Sequence, residues 1–232
     1  MQKSISNKMF VGIYSNEIKH FEQRKDNWCW AASIAIILNY YGYKNITQEE
    51  IVEKLHEKDM FGVLPDLPES EGSITELLNK FTFSNAGIKY SLEVLDGTNY
   101  IPDYIFFEEF EGKRPLMVSY VNDYEKFGAH IIVIRGANYT VLNDQRIIDS
   151  FEILNPGKLE NDGCDEFDKE FIEKHINAYW LIRVKRDSSH QNKSEFPTNL
   201  KSQLTTVFAK LHRRAFYSSI TAKYTTITGL WF

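Results

Sequence analysis

Residues 23–42 read QRKDNWCWAASIAIILNYYG, and the fold turns on this stretch. Cys29 heads a run of good helix formers: Ala31, Ala32, Ile34, Ala35, Ile36, Ile37 and Leu38. The pattern predicts a helix from Cys29 to about Tyr41, capped by Asp26 or Asn27 and stopped at Gly42. At a helix N-terminus the unpaired N–H groups and the positive end of the dipole stabilise an anion. A thiol placed there loses its proton more readily, and the thiolate is the nucleophile. Gln23, six residues earlier, carries an amide N–H2. If the intervening turn folds back, that amide can point at a carbonyl oxygen turning negative under attack by Cys29. The competing reading is a structural cysteine packed in a core helix beside tryptophans.

Outward from this helix, residues 8–19 read as a short strand. Thr47 and Glu50 form a capping box for a second helix with Ile51, Val52 and Leu55 on its apolar face. Residues 61–72, with Pro65 and Pro68, read as a loop. Ser73 and Glu76 suggest another capping box, opening a helix with Leu77, Leu78 and Phe81. The pattern then changes. Residues 88–94, 115–121, 129–135, 146–154 and 178–185 read as strands, the fourth of these stopped by Asn155-Pro156-Gly157. Gly136 is expected to end the strand that starts at Ala129. Pro102 suits a helix start, with 104–111 continuing it, and 167–175 reads as a further helix. Helices first and an antiparallel sheet after give an α+β class.

The chain has 232 residues, 43% of them hydrophobic, enough for one sizeable core or two lobes sharing a cleft. A net charge of −5 gives no basic field, so nucleic acid is not an expected partner. No 18-residue apolar run or secretory h-region is present, which places the protein in the cytoplasm or exports it without a recognisable signal peptide. Cys29 and Cys164 could form one disulfide, but a working nucleophile must be free. No Cys/His spacing suggests a metal, and no cofactor is called for. Residues 1–186 form the expected main domain. Residues 187–232 carry six Lys/Arg against two acids and read as a basic, partly helical extension. Its 200–216 segment could dock on the main domain, contact a partner or a membrane surface, or stay disordered.

Thiol chemistry needs a base to take the cysteine proton and later give it to a leaving amine. Of the six histidines, His130 alone stands at the start of a strongly apolar strand. Gly128 and Ala129 before it leave room for a substrate chain. The base in turn needs an orienting side chain on its second ring nitrogen. Asn155, rigidly stopped before Pro156, and Asp149, in mid-strand, are the candidates, with Asn155 preferred.

Gln23 followed by Cys29-Trp30-Ala31-Ala32-Ser33 resembles the papain-like cysteine peptidases. The Cys-Trp-Ala-Ala form is most similar to their small bacterial branch, which includes effector and bacteriocin-processing peptidases. The resemblance spans about residues 8–185. It implies a two-lobed fold, with a helical lobe carrying the nucleophile and a sheet lobe carrying the base. It also implies a peptide or protein substrate, hydrolysed through an acyl-thioenzyme by Cys29, His130 and Asn155, with Gln23 at the oxyanion. Trp28, Trp30, Gly128 and Ala129 are expected to border the substrate. Asn27 and Trp28 stand where the plant and lysosomal enzymes carry glycine and a small residue. Triad-based acyl transfer or amidase activity and non-catalytic peptide capture are the alternatives.

Overall fold

The computed structural model describes residues 8–121, 129–157 and 163–187. Residues 188–232 of the extension, its 200–216 segment among them, and Gly128 lie outside the described residues. Chain order gives β1 (Met9–Gly12), α1 (Cys29–Tyr40), α2 (Gln48–Val52), α3 (Glu71–Lys80), β2 (Thr82–Asn85) and β3 (Ile88–Thr98). α4 (Asp103–Glu111), β4 (Leu116–Val121), β5 (Ala129–Leu142), β6 (Gln145–Leu154), β7 (Cys164–Asp168), α5 (Lys169–His175) and β8 (Ile176–Arg186) follow. All eight strands pair antiparallel in one sheet of order β2-β3-β8-β4-β5-β6-β7, with β1 added alongside β5. The fold is the expected α+β, papain-like one. The two parts share the sheet, because the β2–β3 hairpin joins it through β8.

Alternation along the central strands explains why they read as unbroken apolar runs. Met117, Ile131 and Val133 face one layer, with α1, α2 and α3 packed on it. Leu116, Val118, Ile132 and Ile134 face the other, under α4 and α5. Helix α1 is buried from Cys29 to Leu38, so its apolar residues need no single stripe. Ser33 is wholly buried and donates to the Ile131 carbonyl at 3.1 Å, tying α1 to β5. The helix stops as expected: Gly42 takes φ +95°, and Tyr43 N–H donates back to the Leu38 carbonyl.

Several boundaries differ from the sequence reading. Neither Asp26 nor Asn27 caps α1. Trp28 holds that position without a side-chain cap bond, because the Asn27 amide groups turn to Asp66 instead. The Thr47–Glu50 capping box forms, but α3 is capped by Ser70, whose Oγ accepts from Ser73 N–H, three residues ahead of the expected start. The first strand ends at Gly12, where a turn closed by Glu17 N–H on the Tyr14 carbonyl follows. Strand β5 runs through Gly136 to Leu142. Where β4 ends, β1 takes its place beside β5, and Gly12 pairs with Gly136. A Cβ on Gly12 would collide with Gly136, so the glycines permit close strand approach rather than ending the strand. Residues 164–168 form β7 on β6, which delays the last helix to Lys169.

Among the described residues no helix is long and apolar enough to cross a membrane. The layer beneath α4 centres on Phe151, fully buried with its ring centroid 4.4 Å from that of Phe106. Phe151→Ala is expected to lower the unfolding free energy by about 3–5 kcal/mol, measured by urea denaturation. A loss under about 1 kcal/mol would contradict this packing.

Candidate active site

Both cysteines are free thiols. Cys29 is the first residue of α1 and 8% exposed. Among the described residues no side chain caps this helix, so Cys29 stands at a helix start whose N–H groups have no side-chain cap. Cys29 borders a cleft of about 630 Å3 whose apolar walls include Trp30, Ile74, Ala129, Ile131 and Trp180. Glu69, Glu71, Ser119 and Asn177 supply polar groups.

The approach to α1 is fastened on two sides. On one side, Trp28 Nε1 donates to the Pro65 carbonyl at 2.9 Å and Trp30 Nε1 to the Leu67 carbonyl at 3.2 Å. Lys25 Nζ reaches the Leu64 carbonyl and lies 4.8 Å from the Trp28 ring centroid. The two tryptophans around the thiol therefore act as anchors for the 64–67 loop. On the other side, Gln23 N–H donates to the Pro156 carbonyl at 2.9 Å. That bond brings the turn after β6 against the segment leading to Cys29.

This turn carries Asn155. Its Oδ1 lies 2.8 Å from His130 Nε2 and accepts Gly157 N–H at 3.0 Å. The backbone N–H can only donate, so the atom it meets is the amide oxygen, and His130 Nε2 must carry hydrogen. In the neutral imidazole the lone pair is then on Nδ1. Asn155 is itself held: its N–H donates to the Gly163 carbonyl at 2.8 Å, and its carbonyl accepts from His20 Nε2 at 2.9 Å. Asp149, the other candidate orienter, is exposed in mid-strand.

His130 pairs in register with Tyr120, and their rings meet edge-on with centroids 5.7 Å apart. Its chain neighbours Ala129 and Ile131 both border the cleft with Cys29. His130 Cε1, Asn155 Oδ1 and Gln23 Oε1 converge, each within 3.5 Å of where a Gly157 Cβ would stand. The Gln23 amide presents its oxygen to this cluster. Its N–H2 group donates to the Lys25 and Asp26 carbonyls at 3.1 and 2.8 Å. The oxygen is buried and accepts no hydrogen bond among the described residues.

The structure thus joins His130, Asn155 and Gln23 around one turn, and sets Cys29, Trp30 and Ala129 on one cleft. It leaves Trp28 outside the cleft lining. Sequence reasoning missed His20, which supports Asn155, and Glu69, Glu71 and Asn177 in the cleft. The Asn155-Pro156-Gly157 stretch was the sequence signal for the turn, and Gly157 N–H is the group that meets Asn155 Oδ1. Nothing local marks Asn177, which reaches the cleft from β8. Among the described residues no group of three or more His, Cys, Asp and Glu is placed to hold a metal.

The tautomer can be measured directly. In a 15N-histidine-labelled Cys29→Ala variant at a pH where the ring is neutral, His130 should show a protonated Nε2 and a bare Nδ1. The opposite tautomer would break the assignment of Asn155.

No curated protein matches the chain. The Peptidase_C39 like family matches residues 15–186, a span that runs from before α1 through β8 and includes the cleft, His130 and the Asn155 turn. A cysteine peptidase function in general agrees with a free thiol at a helix N-terminus on an open cleft. By that match the chain belongs to the Peptidase_C39 like family.

Proposed function

We infer that the protein hydrolyses peptide bonds through a Cys29 acyl-thioenzyme, with His130 as the proton carrier and Asn155 as its orienter. The observation that supports it most is the Asn155 Oδ1 contact at 2.8 Å with His130 Nε2. With Nε2 donating to Asn155, we assign proton exchange with the thiol to Nδ1.

Cys29 Sγ, as thiolate, attacks the substrate carbonyl carbon. The oxygen takes the negative charge and is held by the Cys29 backbone N–H. The Gln23 side chain adds a second donor when its amide exchanges a loop carbonyl for the substrate oxygen. The His130 imidazolium gives its proton to the leaving amine as the C–N bond breaks. Water, deprotonated by His130, then attacks the thioester, and the acid leaves as the thiol is restored. Asn155 is neutral, so it fixes the ring without adding a charge to the thiolate–imidazolium pair.

The Cys-Trp-Ala-Ala form of the motif supports membership of the small bacterial, bacteriocin-processing branch. Residues 200–216, if helical, have the composition for a protein or membrane-surface contact.

Cys164 is more exposed than Cys29, so accessibility alone would favour its labelling. Near pH 6, iodoacetamide is nevertheless expected to alkylate Cys29 far faster than Cys164. His130→Ala should cut that rate about tenfold or more, and Cys29→Ala should abolish cleavage of a peptide library. Equal, slow labelling of the two thiols would refute the reading. A new amide in place of an acid product would turn it to acyl transfer.

A further inference from the structure

The cleft beside Cys29 combines two features that the reaction itself does not require. Its walls are apolar, with Trp30, Ile74, Ile131 and Trp180, while Glu69 and Glu71 come to the same space from the 68–72 segment. Glu71 opens α3 and takes a hydrogen bond from the neutral Asn177 amide, Nδ2 to Oε1 at 2.5 Å. Glu69 is paired with His56, and its side chain is only 9% exposed. Among the described residues, no Lys or Arg forms an ion pair with either carboxylate, and none borders the cleft. By contrast the buried Glu109 of α4 is paired with both Arg114 and Arg183. Glu71 instead borders the apolar-walled cleft with the neutral Asn177 amide as its hydrogen-bond partner.

An apolar-walled cleft that carries two carboxylates without a Lys or Arg partner fits one kind of side chain. Lysine and arginine carry an aliphatic stem that lies along apolar surface and a cation at the tip. Arginine adds a planar fork that meets a carboxylate with two hydrogen bonds, and its face stacks on tryptophan. A purely aliphatic side chain would leave Glu71 desolvated without a counter-charge, and an acidic one would be repelled. We propose that Glu71, assisted by Glu69, makes this cleft a subsite for an arginine or lysine side chain next to the scissile bond.

The proposal rests on Cys29 being the nucleophile, and the test separates the two. Matched peptidyl chloromethyl ketones and peptide amides carry arginine or its neutral isostere citrulline, and lysine or norleucine, at each position near the reactive carbonyl. With the full-length protein, at one position the cationic member of each pair should alkylate Cys29 at least about tenfold faster. The amide kcat/KM values should follow the same order. The Glu69→Gln/Glu71→Gln variant should bring that ratio close to one, and Glu71→Lys should invert it towards glutamate over glutamine. Thermal unfolding identifies any variant that fails to fold, and the parent's ratio is then decisive by itself. Equal rates within every pair in the parent, or a preference that survives in a folded double variant, would overturn the subsite. Discrimination in alkylation without turnover of any amide would remove the peptidase reading and leave the subsite standing.

Discussion

One backbone hydrogen bond, Gln23 N–H to the Pro156 carbonyl, sets the rest of the site. It lies between a segment early in the chain and a turn more than a hundred residues later. Helix α1 follows from one side of it, and the Asn155 turn sits on the other. Because a backbone bond fixes direction as well as distance, the helix that carries the thiol and the side chain bonded to the His130 imidazole share one reference point. His20 on the Asn155 carbonyl and Gly163 on its N–H hold the same turn from behind.

The sheet supplies the other half of the geometry. β5 is buried on both faces, so its residues alternate between two cores and its register cannot slip by one residue. That fixes Ala129 and Ile131 as cleft wall and His130 beside Tyr120 and Asn155. β1 beyond the end of β4 completes the pairing, and the Gly12–Gly136 contact is the price of bringing a strand there. The tryptophans flanking Cys29 bind the 64–67 loop by their indole N–H groups, so that loop is a structural part of the cleft. The segment after it carries Glu69 and Glu71, so charge at the cleft and the position of α1 depend on the same fastening.

The local elements were legible because they follow from short-range rules. A run of helix formers ended by Gly42 gave α1 within a residue, and Thr47–Glu50 formed its capping box. The apolar runs at 115–121 and 129–135 were buried strands. The misreadings share one cause, that partners far along the chain compete with local signals. Asn27 bonds Asp66 instead of capping α1. Gly136 stays in β5 because β1 lies against it, and Phe167 pairs with Phe151 on β6 before the last helix begins.

The sequence by itself determined the residue types proposed for the chemistry and most of the elements they stand on. Side-chain type, helix propensity and strand alternation are properties of neighbours in the chain, and neighbours are what a sequence displays. Only the tertiary structure decided that Asn155 rather than Asp149 meets His130, that the Gln23 amide oxygen turns towards them, and that Glu71 and Asn177 share a cleft with Cys29. Each of those depends on strand register or on a bond between distant segments, which no local pattern encodes.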